Sequence, residues 1–272
     1  MIIPMVNSNG TFSNIAPPIV EIRRSRLIRT GVTEQQNTVN NSIDLIQTNA
    51  QFSVRGVSVN DTAAGTGVRT ITVYYLDQDF NGPFTESFTL NGITVVPSAA
   101  TNFCYLDNVV VTTCGSGFNT SVTCGYVVYA DATGLGLSLC NVTASNTELV
   151  SRGFASHWVP KGVTCWITGF GCSCAGSPAS STLATTGGLV SLRYYPVSMT
   201  DPANFAFTLG VNPSYLLDRV HIIGLKDPMT VTYNSPIRID GPAKVWMTTT
   251  PETVTTSVYE SYFTYFETTT PG

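Results

Sequence analysis

Hydrophobic and polar residues alternate in short runs through most of the chain beyond Gln51. Phe52-Ser53-Val54-Arg55-Gly56-Val57 alternates, and so does Val68-Arg69-Thr70-Ile71-Thr72-Val73-Tyr74-Tyr75-Leu76. Side chains two apart share a strand face. The second run therefore predicts Val68, Thr70, Thr72 and Tyr74 on one face and Arg69, Ile71, Val73 and Tyr75 on the other. Asp77 to Pro83 supplies a turn and Phe84 to Leu90 a returning strand. Asn91-Gly92 ends that strand, because both residues tolerate positive φ. Further strands at Ile93 to Val96, Tyr105 to Thr112, Ser121 to Tyr129 and Gly136 to Val142 complete a first β domain over residues 51–150.

A second β domain is predicted over 151–272. Its strands fall near Phe154 to Val159, Val163 to Cys172, Leu189 to Tyr195, Ala203 to Leu209, Leu217 to Ile223, Met229 to Tyr233, Ile237 to Ile239, Lys244 to Thr250 and Val258 to Phe266. The small, polar stretch from Gly171 to Thr186 predicts a long loop. Short strands separated by Gly, Pro and Asn fit a jelly roll or related sandwich. A propeller would need a blade-length repeat, and none is present. Residues 1–50 are rich in Asn, Thr and Ser, carry Pro17-Pro18, and have little periodicity apart from a short apolar and basic segment at Ile19 to Ile28. They predict an extended arm, which gains order only by lying along a neighbour. The expected fold class is all-β: two antiparallel β-sandwich or jelly-roll-like domains preceded by an extended N-terminal arm.

Composition supports that class and narrows the function. Hydrophobic residues make up 43% of the 272 residues but charged ones only 11%, so Thr, Ser and Asn must supply the polar surface. A net charge of -4 and a pI near 5.1 argue against nucleic acid as the main partner. One local exception is Glu21 to Arg29, which carries Arg23, Arg24, Arg26 and Arg29. These four are the candidate partner-binding residues. The segment is either a solvated stretch or an arm gripping an acidic neighbouring surface or nucleic acid inside a shell. No apolar run is long enough to span a bilayer, and the N-terminus lacks the charged and apolar regions of a signal peptide.

The 7 cysteines, Cys104, Cys114, Cys124, Cys140, Cys165, Cys172 and Cys174, all lie in one stretch. Buried thiols are the default. Disulfides such as Cys114 with Cys124 suit the Gly-rich sequence around them, but sequence does not fix pairing. No C-x-x-C pair favours zinc, and Cys172-Ser173-Cys174 is a poor chelate. A protein made in a reducing cytosol and released into an oxidising medium would reconcile these cysteines with the missing signal.

No motif for catalysis appears: no nucleophile elbow, P-loop, H-E-x-x-H or dinucleotide fingerprint. His157 and His221 are the only histidines, and each lies in apolar, strand-like sequence that favours a structural role. Asp77-Gln78-Asp79-Phe80-Asn81-Gly82 matches the start of a calcium loop, but Phe88 stands where the bidentate Glu is needed, and an ordinary hairpin turn explains it. The expectation is therefore a protein that is not an enzyme and has no cofactor.

Asn60-Asp61-Thr62-Ala63-Ala64-Gly65-Thr66-Gly67-Val68-Arg69-Thr70, running into Thr72-Val73-Tyr74-Tyr75-Leu76-Asp77 and then Glu86 to Gly92, resembles a module of virion structural proteins from tailed phages and some larger aquatic viruses. Trp158-Val159-Pro160-Lys161-Gly162-Val163 to Thr168 is similar to the turn that opens the second domain in that group. The resemblance covers about 52–170 by motif, and the cysteines depart from it. It implies a capsid decoration, cement, or head-fibre and fibre-base protein on the virion surface. Its partners would be the major capsid protein or other virion proteins, and its assembly a homotrimer. The alternative is a host-recognition or carbohydrate-binding β protein on a fibre or cell surface. Independently of any family, Gly65-Thr66-Gly67 permits a tight turn that Asp61 and Thr62 can fix by bonding local amides.

Overall fold

The computed structural model describes residues 19–29, 35–36, 49–119, 124–135, 138–144, 155–176, 187–197, 214–223, 228–252 and 257–269. Among them there is no α-helix, and every strand pairing is antiparallel. In chain order β1 (Glu21–Arg29) and β2 (Gln35–Gln36) precede a group made of β3 (Ser53–Gly56), β4 (Val68–Leu76), β5 (Phe84–Thr89), β6 (Val96–Pro97), β7 (Tyr105–Cys114), β8 (Cys124–Tyr129) and β9 (Ser138–Ala144). A second group follows: β10 (Ser156–Val159), β11 (Val163–Gly176), β12 (Gly187–Pro196), β13 (Tyr215–Ile223), β14 (Met229–Asp240), β15 (Ala243–Pro251) and β16 (Ser257–Thr269).

The first group forms two sheets, ordered β6-β3-β8-β9 and β5-β4-β7, around one core. Phe52 is the centre of that core, its ring 4.5 Å from Phe103 and 5.5 and 5.4 Å from Tyr75 and Phe88. Such offset and edge-on aromatic contacts add to the burial energy of the rings. β4 has the bounds that its alternation predicts, and Ile71, Val73 and Tyr75 point inward together. Val68, expected on the opposite face, is buried too. Register irregularities between Val68 and Ile71 turn the strand and bring it into the core.

In the second group the sheets are β1-β16-β11-β14 and β10-β15-β12-β13, with β2 added to β15. Both contribute to a single core that includes Ile167 and Phe263 from one sheet and Leu192 and Val245 from the other. This larger sandwich takes its strands from both ends of the chain. Residues 21–29, which the sequence assigns to an arm, form β1 along β16, from Glu21 opposite Tyr265 to Arg29 opposite Ser257. Their alternation is hard to see because the inward positions Arg23 and Ser25 are polar, Arg23 meeting Asp107 and Ser25 meeting Ser261 inside the chain. The rest of the expected arm lies outside the described residues, apart from β2 and residues 19–20 and 49–50.

The pairings of the larger sandwich nest. β1 pairs with β16, β10 with β15, β11 with β14 and β12 with β13, while β11–β16 and β12–β15 contacts complete the sheets. The chain thus folds as a long antiparallel ribbon that closes back on itself, and the smaller sandwich is inserted between β1 and β10.

Two expectations change here. β11 continues to Gly176, past the point where Gly171 suggested a loop. Gly169 and Gly171 mark close approach instead: a Cβ at Gly171 would stand 2.5 Å from the Tyr262 ring. Met229 to Asp240 is one strand rather than two, and Pro236 is tolerated because β14 lies at a sheet edge. The predicted strand at Ala203 to Leu209 lies outside the described residues.

Candidate functional site

The two sandwiches meet along a seam with an aromatic part and a charged part. Leu76, Phe80, Cys104 and Tyr105 of the smaller unit pack on Trp158 and Val197 of the larger one. Phe80 and Tyr105 stack at 4.6 Å, and Tyr105 lies 4.8 Å from Trp158. The Lys161 N–H donates to the Phe80 carbonyl at 2.9 Å, so the Trp158 to Val163 turn closes on the smaller sandwich.

The charged part is built on Asp107, in the buried start of β7. β1 and β10 end the two sheets of the larger sandwich, and Asp107 reaches the place where these edge strands meet. Its Oδ2 accepts from Arg23 Nη2 at 2.5 Å. Its Oδ1 accepts from His157 Nδ1 at 3.0 Å and from the Trp158 backbone N–H at 2.8 Å. The other ring nitrogen of His157, Nε2, faces Glu267 Oε1 at 2.8 Å, and the His157 ring stacks on Tyr265 at 4.5 Å. The Tyr265 hydroxyl accepts from Arg23 Nε at 3.0 Å and donates to Glu21 at 2.7 Å. Arg23, Asp107 and His157 are all buried.

Burial alone would neutralise such groups, and their mutual attraction outweighs it. Burial pushes the Asp107 carboxyl up, but Arg23 and His157 pull it down to about 2. His157 is pushed down by burial and raised, on balance, to about 9 by Asp107 and Glu267. The Arg23 guanidinium, also opposed by burial, is held more firmly charged by Asp107 and Tyr265. The Tyr265 phenol is pushed well above its usual range, first by burial and then by Asp107 and Glu21.

The four arginines of the basic run are not equivalent. Arg23, expected to face a partner, is only 7% exposed and its charge is matched inside the chain by Asp107. Arg24 stands on the other face of β1, half-buried and opposite Tyr262. Arg26 and Arg29 pair through their backbones with Glu260 and Ser257, and their side chains lie outside the described residues.

The Asp61 turn is a second polar centre, wholly within the smaller sandwich. The buried Asp61 carboxylate accepts from the N–H groups of Val57, Ser58 and Val68 at 3.1, 2.8 and 2.9 Å. A Cβ at Gly67 would stand 2.2 Å from Asp61 Oδ1, so the glycine gives the carboxylate its place. Burial nevertheless leaves the Asp61 carboxyl above its ordinary value, against the pull of these amides. The resemblance motif is thus a structural turn in this chain. The Asp77 loop is another: Asp77 Oδ1 accepts from the N–H groups of Asp79 and Asn81, both at 2.9 Å, and Asn81 Nδ2 donates to Oδ2. No group of three or more His, Cys, Asp and Glu side chains is placed to hold a metal ion among the described residues.

Cys114 carries a free, half-buried thiol, and the side chain of its candidate partner Cys124 lies outside the described residues. Cys104, Cys165, Cys172 and Cys174 are buried. Burial pushes the thiols of Cys104 and Cys172 up to about 12, which suppresses the reactive thiolate.

Sequence reasoning passed over Asp107, Glu267 and Tyr265, and it took His157 as structural without naming a partner. One signal was present: Asp107 interrupts the apolar run from Tyr105 to Val111. An acid there must be paired if the strand is buried. No protein-family model and no curated protein matches this sequence.

Proposed function

We propose that this chain is a structural component of a virus particle, binding the capsid surface as a decoration, cement or fibre-base protein. The observation that supports it is the nested pairing of β1 with β16, β10 with β15, β11 with β14 and β12 with β13. Such nesting supports a jelly-roll reading, a fold used by capsid and lectin domains. On this reading the larger sandwich is a jelly roll whose first connection carries the smaller one as a projecting unit. The low charge and the virion-like motifs point the same way. The partners are the major capsid protein or other virion proteins, and the assembly is a homotrimer. Arg23 is engaged internally by Asp107, so it is not among the residues that bind the shell on this reading.

A second reading, recognition of neutral glycans, has its own observation. The outer face of β5-β4-β7 is lined by hydroxyls that bond across strands, Thr70 to Thr113 at 2.6 Å and Thr72 to Ser87 at 2.9 Å. The test is density banding of virus particles from the culture that makes the chain, with light scattering on the purified full-length protein and a glycan array alongside. A fixed ratio of this chain to the major shell protein in the particle band, with a trimer in solution, is the expected result. A chain that stays out of the band and binds glycans overturns the structural reading in favour of the second.

A further inference from the structure

Carboxylates on both sides of the His157 ring favour its charged form. Nδ1 faces a carboxylate oxygen of Asp107 and Nε2 one of Glu267, at 3.0 and 2.8 Å. A neutral imidazole has a single N–H, so it would turn a lone pair toward one of the two carboxylates. Only the imidazolium donates to both; a neutral ring protonated at Nε2 would keep Glu267 and release Asp107, its Nδ1 then facing Arg23 Nη2 at 3.2 Å. Asp107 belongs to the smaller sandwich and Glu267 to the larger, and the ring between them is buried.

We propose that the imidazolium of His157 is a latch on the seam: it holds Asp107 and Glu267 at once, and loss of its proton loosens the smaller sandwich from the larger. The groups facing it are Glu21 and Arg23 on β1, Asp107 on β7, the Cys165 thiol on β11, and Tyr265 and Glu267 on β16. Lys244 on β15 lies over the ring of the adjacent Trp158 at 5.1 Å. With His157 neutral, Arg23 is left as the one cation touching Asp107, while Glu21 and Glu267 remain as carboxylates close by. Glu21 is exposed and Glu267 a quarter exposed, so what weakens the closed form is the loss of the one cation that Asp107 and Glu267 share across the seam. The latch does not depend on what the outer surface binds, so it stands or falls apart from the role on a particle.

The pH dependence has a definite sign. The imidazole pKa is raised in the closed seam, so the stabilisation is complete below the ordinary value of about 6.5 and fades as pH rises through about 9. Seam opening therefore increases by up to about tenfold per pH unit between these limits and levels off beyond them.

Cys104 reports on the opening, because it is buried in the seam cluster at 1% exposure, whereas Cys172 is buried in the core of the larger sandwich. The experiment labels the full-length chain with iodoacetamide from pH 6 to 10.5 and reads, by peptide mass mapping, the Cys104 rate relative to Cys172. The expected ratio rises toward a plateau near pH 9. In His157→Gln the ratio is independent of pH. In Glu267→Gln, at a partner that is a quarter exposed, the plateau moves down by about one pH unit. If His157→Gln does not fold, Glu267→Gln carries the test. A ratio that stays constant in the wild type, an equal rise in His157→Gln, or a plateau unmoved by Glu267→Gln overturns the latch.

Discussion

Asp61 and Asp107 are both buried carboxylates, and they are satisfied in opposite ways. Asp61 takes the N–H groups of Val57, Ser58 and Val68, no more than seven residues away, in a turn that glycines make room for, and a further pull comes from the Gly125 amide of β8 in the same sandwich. Asp107 takes a guanidinium from β1, and an imidazolium and an amide from β10, segments 84, 50 and 51 residues distant along the chain. The first is met by neutral dipoles, and burial keeps its carboxyl high. The second is met by two cations and falls to about 2. A local turn needs only the right residues in order, whereas the seam exists only after both sandwiches and the N-terminal strand have come together. Damage to Asp61 should therefore stay within the smaller sandwich, and damage to Asp107 should reach both.

The largest effect is expected from Asp107→Ala. It leaves Arg23 buried without its counterion and His157 with Glu267 alone, and should cost about 3–5 kcal/mol in urea unfolding. Near-UV signals of both sandwiches should shift together. Replacing Arg23, Asp107 and His157 at once by Met, Leu and Gln removes the stranded charges as well, and should recover most of that loss. A triple variant as unstable as Asp107→Ala would mean that the seam needs its charges for more than mutual compensation.

Asp61→Ala is expected to cost about 2–3 kcal/mol by leaving the Val57, Ser58 and Val68 amides without their acceptor. Hydrogen exchange should accelerate in β3 and β4 but not in β16. Acceleration in β16 would erase the distinction between a local and a long-range carboxylate.

Acid separates the two by sign. The Asp107 pKa is depressed from 3.8 to about 2, so its contribution of about 2 kcal/mol is complete above the ordinary value and lost as pH falls through about 2. The Asp61 pKa is raised, so its protonated form is favoured in the folded chain and its contribution grows as pH falls. Stability curves from pH 2 to 5, with Asp107→Asn and Asp61→Asn each subtracted from wild type, should slope in opposite directions. Equal slopes would show that the two environments differ less than their geometry implies.

The same contrast explains what the sequence made legible. Strands such as Val68 to Leu76 and turns such as Asp61 to Gly67 depend on neighbours in the chain, and alternation and glycine placement reveal them. The all-β class and most strand positions follow from that. β1 was hidden because its inward residues, Arg23 and Ser25, are polar, and periodicity has no means of showing that Asp107 and Ser261 await them. The continuation of β11 through Gly171 was hidden for a similar reason: the glycine answers to Tyr262, 91 positions on, rather than to a local turn. What sequence could offer at the seam was the oddity of single charged residues in apolar runs, without the partners that account for them.

The smallest effect comes from the other histidine. His221 Nε2 also meets a carboxylate, that of Glu252, but both side chains are 45% exposed, against 3% for His157. Water and salt screen an exposed pair, and holding it in one geometry costs side-chain entropy, so the net gain is about 0–1 kcal/mol. Glu252→Gln should therefore lower stability by less than about 1 kcal/mol at low ionic strength. The difference should vanish in about 1 M salt, where the screening length shrinks to about 3 Å. Glu267→Gln, which removes the same carboxylate from a buried imidazolium, should keep most of its effect in that salt. If the two variants respond alike, burial is not what distinguishes the seam from the surface, and the long-range carboxylate loses its special standing beside the local one.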